Sequence, residues 1–279
     1  VPELPEVETI RRQLAPHVTG RELERVEIRD PRWTLPDPVE PVAQALTGAR
    51  VQALARAGKY LIWELDGDRH LLQHLRMTGA LLWDPEVEPL HTRVRFELSD
   101  GHRIAYVDPR RFGTAHLMHS TAQRDAYLGA RLGPEPFTPA FSAGYLRRAA
   151  QGRTAPVKAF ILDQRRVAGV GNIYADESLF RARVHPLRAA GKLAPHQWTD
   201  LKVAIETSLS LGIDAKGASI DDFRHVDGQR GSFQDLFLVF GRTGEPCVNC
   251  GVPIIKIVVG GRGTHVCEHC QPRPRHARR

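Results

Sequence analysis

A chain of 279 residues with 42% hydrophobic and 25% charged side chains can hold about two domains with a sizeable core, and this balance excludes a low-complexity, fibrous or largely disordered polypeptide. No apolar run approaches the roughly 18 residues needed to span a bilayer, and no basic segment followed by an apolar stretch opens the chain, so a membrane partner is excluded and a cytoplasmic protein is expected. The formal charge of +7 points toward a polyanion without naming one.

The chain opens VPELPEVET. Pro5 suits a first helical position, Glu6 and Glu8 suit the positive end of a helix dipole, and Val7, Ile10 and Leu14 recur at helical spacing. These features predict a helix. Pro2 and Glu3 lie ahead of it, where helix propensity requires neither. From about 20 to 117 the sequence reads as strands: RELERVEIR, ARVQALARA, KYLIWELD and then TRVRFELSDGHRIAYVD, a hairpin turning at Asp100-Gly101. This predicts an antiparallel sandwich or barrel. LGPEPF near 132–137 suits a linker, and the pattern then turns helical to about 212, with QWTDLKVAIETSLSLG the clearest amphipathic stretch.

Three stretches stand out within this frame. HLRMTG (74–79) and DPRRFG (108–113) each end in a glycine turn, which suits loops that leave a strand abruptly and expose a large side chain. Alone, Met77 and Phe112 read as core residues. Beside Arg110 and Arg111 they also suit an apolar wedge between base pairs, with a guanidinium filling the gap left by an extruded base. In VAGVGNIYADESLF (167–180), Gly169, Gly171 and Asn172 form a turn at a helix start. Free N–H groups there can hold a phosphate, although a simple Asn cap explains the turn equally well.

All four cysteines fall in CVNC (247–250) and CEHC (267–270). Paired C-x-x-C knuckles supply the tetrahedral sulfur cage that zinc favours, and the spacing fits a ribbon of two hairpins better than two disulfides. With Cys247, Cys250, Cys267 and Cys270 all as ligands, no coordination position is left open. The zinc is expected to hold structure and to perform no chemistry. The basic tail, 273–279, is expected to be disordered.

Taken in order, PELPEVE, GKYL, HLRMTG, DPRRFG, VGNIYADE, GSFQDLFLVFGR and the four-cysteine ribbon resemble the bacterial formamidopyrimidine-DNA glycosylases of the Fpg/Nei family. The resemblance runs from residue 2 to about 272. It implies an α+β multidomain fold: an antiparallel β-sandwich with an N-terminal helix (1–132), a helix-two-turns-helix module with a lesion-capping loop (133–237), and a zinc ribbon (238–272). It implies a monomer that acts on double-stranded DNA containing oxidised purines, chiefly 8-oxoguanine and formamidopyrimidines, excising the base and then cutting the strand at the abasic site.

The resemblance also gives Pro2-Glu3 a chemical meaning. An attack on C1′ that leaves a cleavable sugar needs an amine that is free at neutral pH and can form an iminium ion. A chain-terminal amine has a reference pKa of about 8 against about 10.4 for lysine, so a terminal proline is a ready nucleophile. Glu3 is expected to protonate the opening sugar oxygen. Glu6 matches a carboxylate that supports the nucleophile, Lys59 a lysine that contacts phosphate and assists β-elimination, and Arg262 an arginine that grips the phosphates flanking the lesion. His74, His91, Arg111, Arg153, Asn172 and Lys256 fall where the family contacts the DNA backbone or abasic site. Met77, Arg110 and Phe112 match the wedge and gap filler.

Residues 215–235 match the loop that closes over the flipped base, and their glycine-rich, polar composition predicts a mobile lid. Two departures stand out: Phe240 replaces a tyrosine that touches phosphate, and Asp221 and Asp222 make the loop more acidic. Val1 is a third, because a peptide bond from it would leave the Pro2 nitrogen an amide. An alternative start codon read literally explains it, the initiator methionine then being trimmed in the cell. Two rival readings share parts of this pattern: an oxidised-pyrimidine glycosylase of the same fold, and a zinc-ribbon DNA-binding protein without catalysis.

Overall fold

The first helix, α1 (Leu4–Val18), begins where Pro5 stiffens its first turn, and Val7, Ile10, Leu14 and Val18 all point into the core with no exposed surface. This computed structural model describes residues 2–219 and 224–274; Val1, residues 220–223 with Asp221 and Asp222, and most of the basic tail lie outside the described residues. The chain divides into two compact units, 1–130 with 213–234 and 131–212 with 235–279. Among the described residues no helix is long and apolar enough to cross a membrane.

In the first unit, α1 is followed by β1 (Leu23–Ile28), α2 (Val39–Leu46), β2 (Val51–Ala57), β3 (Tyr60–Leu65), β4 (Arg69–His74), β5 (Ala80–Trp83), β6 (Thr92–Leu98), β7 (Arg103–Val107), β8 (Thr114–Met118) and α3 (Thr121–Gly129). The strands form two four-stranded antiparallel sheets, ordered β1-β6-β7-β5 and β2-β3-β4-β8. β6 and β7 form the hairpin expected at Asp100-Gly101, where Gly101 takes the positive φ of +87° that a glycine tolerates. Alternate residues of both sheets face one core. Leu23, Val26, Val94, Phe96 and Ile104 from one meet Leu54, Leu61, Trp63, Leu71 and Leu117 from the other, and Trp63 stacks on Phe96 with ring centroids 5.2 Å apart.

The stretch read as strands, about 20 to 117, also contains helix. VEPVAQAL forms α2 because Val42 and Leu46, four residues apart, bury one helical face against the same core. The second unit contains α4 (Ala143–Ala150), α5 (Val157–Leu162), α6 (Asn172–Arg181), most of α7 (Pro195–Asp214), and the hairpin β9 (Ile255–Val259) and β10 (Arg262–Val266). Ser142 caps α4 by accepting the Tyr145 N–H. The β9–β10 turn is Gly260-Gly261, both at positive φ, as a two-residue hairpin loop requires.

Glu8 carries the strongest charge cluster on α1. Its carboxylate accepts from Arg11 at 2.8 and 3.0 Å, from Arg12 at 2.7 Å, and from Arg56 on β2 at 3.2 Å. Burial pushes its pKa up, but these bonds and the charges of Arg11 and Arg56 overcome that and hold it at about 2. Because the folded value is depressed, the stabilisation is present above the ordinary value of 4.5 and is lost as pH falls toward 2. Glu8→Gln should therefore lower stability by on the order of 2 kcal/mol at pH 7. In urea denaturation the gap between variant and parent should close between pH 4.5 and 2.

Candidate active site

Pro2 to Ile10 are all buried, so the start of α1 is a fixed structural element and not a loose end. Glu6 has no exposed surface, and both of its oxygens are engaged: Oε2 accepts the Glu3 N–H and Oε1 the Ala218 N–H, each at 2.8 Å. A buried carboxylate without donors would be costly, and two backbone donors satisfy it. One side chain thus fixes the main chain beside Pro2 and also fastens the segment that follows α7.

Lys59 lies in the two-residue turn between β2 and β3, next to Gly58 at φ +55°. Arg56, held by Glu8, donates its Nη1 to the Gly58 carbonyl at 3.0 Å, so the Glu8 cluster also locks the turn that presents Lys59. His74, at the end of β4, is pushed down to a pKa of about 3 by burial and by the charges of Arg76 and Lys59. It is neutral at pH 7, and since its Nδ1 accepts the Arg76 N–H at 3.1 Å, its proton sits on Nε2. A neutral imidazole with one remaining donor can bind a phosphate oxygen.

HLRMTG and DPRRFG are tied together at their roots. Asp108, 1% exposed, accepts from the Thr78 hydroxyl, from the Gly113 N–H at 2.8 Å and from the Tyr106 hydroxyl at 3.3 Å, and Thr78 in turn accepts the Arg110 N–H at 3.3 Å. A methyl at Gly113 would collide with the Tyr106 hydroxyl, so the turn demands glycine there. With the roots locked, the tips are exposed: Met77 at 37% and Phe112 at 52%. Neither is a core residue. The Arg110 guanidinium lies over the Phe112 ring, 4.8 Å from its centroid. Arg111 pairs with Asp30 at 3.4 Å, and the carbonyl of exposed His91 accepts the Asp108 N–H.

In the second unit, the hairpin bearing Arg262 is anchored by buried charge. Lys158 and Asp176, both without exposed surface, form an ion pair at 2.7 Å. The Lys158 ammonium also donates to Thr264 Oγ1 at 2.7 Å and the Gly263 carbonyl at 3.2 Å. Asp176 accepts the His265 N–H, and Asn172 Nδ2 donates to the same Gly263 carbonyl at 3.0 Å. The result leaves Arg262 and Lys256 exposed on a rigid hairpin. Glu177, fully buried, accepts the N–H groups of Leu238, Val239 and Phe240; burial pushes its pKa up against these donors. Phe240 packs edge-on against His265, with centroids 4.9 Å apart. Arg153, in the turn after α4, is exposed and donates Nε to Ala149 O of that helix.

The four cysteine sulfurs lie within 4.8 Å of one another. Cys247 and Cys270 approach at 3.8 Å, and Cys250 and Cys267 at 3.5 Å, too far for disulfides. A tetrahedral zinc with bonds of about 2.3 Å spaces its sulfurs about 3.8 Å apart, so the cage fits that ion. Phe180, Val239 and Ile254 pack around it.

Known proteins are similar to this chain over nearly its whole length. Residues 1–115 match the formamidopyrimidine-DNA glycosylase N-terminal domain, 132–224 its H2TH domain, and 244–273 the zinc finger found in FPG and IleRS. The formamidopyrimidine-DNA glycosylase of Symbiobacterium thermophilum is 45% identical, covering 98% of this chain and 90% of the relative. The chain belongs to the formamidopyrimidine-DNA glycosylase family. Among solved structures, the MutM (Fpg) protein of Thermus thermophilus superposes with a TM-score of 0.88 at 40% identity, covering 98% of this chain and all of that one. Lactococcus lactis Fpg in complex with DNA containing an abasic site gives 0.91 at 37% identity, over 97% of this chain and all of the other. As in the family's zinc finger, the chain holds one structural zinc in its four-cysteine cage.

Sequence reasoning missed the residues that hold the exposed groups in place: Asp108, Lys158, Asp176 and Glu177. Asp108, Asp176 and Glu177 all stand inside the quoted motifs, and an acid in an otherwise apolar or glycine-rich stretch was the available signal. Lys158→Met would leave Asp176 buried without its countercharge, and denaturation should show the second unit destabilised by about 3–5 kcal/mol. Adding Asp176→Leu should recover much of that loss. A single variant as stable as the parent would show that the pair does not anchor the hairpin.

Proposed function

We propose that this chain is a bifunctional DNA glycosylase and abasic-site lyase of base excision repair, which removes oxidised purines from duplex DNA and then cuts the strand. The reading is carried by the two locked loops, which expose Met77 and the stacked Arg110–Phe112 pair on a unit whose first residues are buried and fixed. A base in a duplex must leave the stack before C1′ can be attacked, and an apolar wedge with a cation beside it lowers the cost of that step.

With the amine of Pro2 freed by loss of Val1, the nitrogen attacks C1′ and the glycosidic bond breaks, the base leaving with a proton. Glu3 protonates the ring oxygen as the sugar opens to an iminium. The iminium acidifies the C2′ proton, whose loss expels the 3′ phosphate, and a second elimination expels the 5′ phosphate. We assign the phosphate contacts to Lys59, His74, His91, Arg111, Arg153, Asn172, Lys256 and Arg262. Glu6 positions the chain around Pro2, and the Phe240 side chain offers no hydroxyl where the family uses a tyrosine. Acting on the chromosome, the enzyme works in the cytoplasm in association with the nucleoid. The solved complexes of Lactococcus lactis Fpg with DNA containing Fapy-dG support a purine-derived lesion, although the same protein was also solved with DNA containing an oxidised pyrimidine.

Duplexes carrying 8-oxoguanine or an oxidised pyrimidine, incubated with protein lacking Val1, separate the readings. The proposal predicts scission at 8-oxoguanine, faster than at the pyrimidine. Glu3→Gln should bind the duplex and fail to excise. Phe112→Ala should excise slowly while its melting temperature stays within about 2 °C of the parent, since a buried Phe→Ala would instead cost roughly 3–5 kcal/mol. Binding without any scission would leave the non-catalytic zinc-ribbon reading in its place.

A further inference from the structure

On α1, Glu6, Gln13 and His17 follow one another at intervals of seven and four residues, so they share one face of the helix. Each meets the segment after α7 or the strand that holds it. Glu6 accepts the Ala218 N–H at 2.8 Å, and Gln13 Oε1 accepts the Val226 N–H at 3.2 Å. His17 stacks on Trp83 with centroids 4.5 Å apart, and the Trp83 N–H donates to the Val226 carbonyl at 2.8 Å. Both backbone groups of Val226 are therefore committed, and its side chain is 4% exposed within the sandwich core.

The segment is also closed upon itself. Ser232 and Phe233 donate their N–H groups to the carbonyls of Ala215 and Gly217, and Gly231 donates to Ser219 Oγ. His225 Nε2 lies 2.9 Å from the Lys216 carbonyl. β5 is an edge strand of its sheet, and Val226 meets the backbone of that edge at Trp83. β5 starts one residue after the HLRMTG turn that presents Met77.

We infer that Gln13 is a positioning residue for base excision: with Glu6 it fastens the lesion-capping segment to the helix that carries Pro2 and Glu3. This rests on the reading of residues 215–235 as that segment. Gln13 stands eleven residues after Pro2, about three helical turns along α1. It supplies the acceptor for the amide of Val226, whose side chain packs in the apolar core. Loosening this point weakens the hold on a flipped base and leaves the chemistry at a preformed abasic site, where no base has to be held, unaffected.

The test uses the full chain lacking Val1. Amide exchange at Val226 is measured without DNA, alongside single-turnover excision of 8-oxoguanine and cleavage of a preformed abasic site. Gln13→Ala should speed Val226 exchange roughly fivefold, the worth of one hydrogen bond, and slow excision by a similar factor with abasic-site cleavage unchanged. Gln13→Glu, whose carboxylate oxygen accepts the same N–H, should restore both. Unchanged exchange in Gln13→Ala overturns the proposal, as does a parallel fall in excision and abasic-site cleavage. Gly231→Ala tests the underlying reading separately, because its methyl would collide with the Gly217 carbonyl and distort the segment itself. If that variant excises 8-oxoguanine normally, the segment is not the lesion cap, whatever Gln13 does.

Discussion

A carboxylate with no exposed surface must find donors inside the protein, and the Glu6 side chain finds two that lie far apart in sequence. One is the main chain immediately after Pro2, and the other is the main chain immediately after α7. The proposed chemistry requires a nucleophile that is the chain's own first nitrogen, at the place where polypeptides are ordinarily least ordered. Burying Pro2 through Ile10 at the head of α1, with Glu6 closing back on Glu3, converts that tip into part of the core. The segment that would cover a flipped base is then referenced to the same helix. The proposed nucleophile and the proposed cap share one frame.

The same device recurs behind the exposed side chains proposed to contact DNA. Asp108 gathers donors from both glycine loops, tying together the roots from which Phe112 and Met77 stand exposed. Glu177 holds three consecutive amides of the segment leading to the zinc ribbon, and Asp176 with Lys158 holds the hairpin that bears Arg262. Glu8, through Arg56, reaches the turn of Lys59. In each case an acid with little or no exposed surface takes backbone N–H groups or basic side chains as partners, and the exposed residue lies a short distance along the chain. Removing one partner of such a group is costlier than the bond alone suggests, because the other is left buried and unsatisfied.

How much of this the sequence disclosed varied with the kind of signal. Cys247, Cys250, Cys267 and Cys270 were legible because zinc imposes a spacing, and the sulfurs do converge. The β6–β7 hairpin was legible because Asp100-Gly101 is a local turn signal between alternating runs. The helix α2 was not, since eight residues with two buried positions resemble strand as much as helix until the core they face is known. The exposure of Phe112 could not be read from its identity, and the motif's meaning came from the family. Glu6 to Ala218 and Gln13 to Val226 are contacts between residues some two hundred positions apart, for which one sequence carries no signal at all. The composition of residues 215–235 suggested a mobile lid but gave no sign of the bonds that its described residues make to α1 and to the edge of β5.

The central claim is that the Pro2 nitrogen, held at the head of α1, is the nucleophile. Borohydride added during turnover on a duplex containing 8-oxoguanine should reduce the iminium and leave the DNA covalently joined to the protein, and peptide mapping by mass spectrometry locates the joint. The account predicts an adduct at Pro2, formed by protein from which Val1 has been removed and not by protein that retains it. An adduct on Lys59 or any other lysine, or efficient trapping by homogeneous protein still carrying Val1, would contradict it.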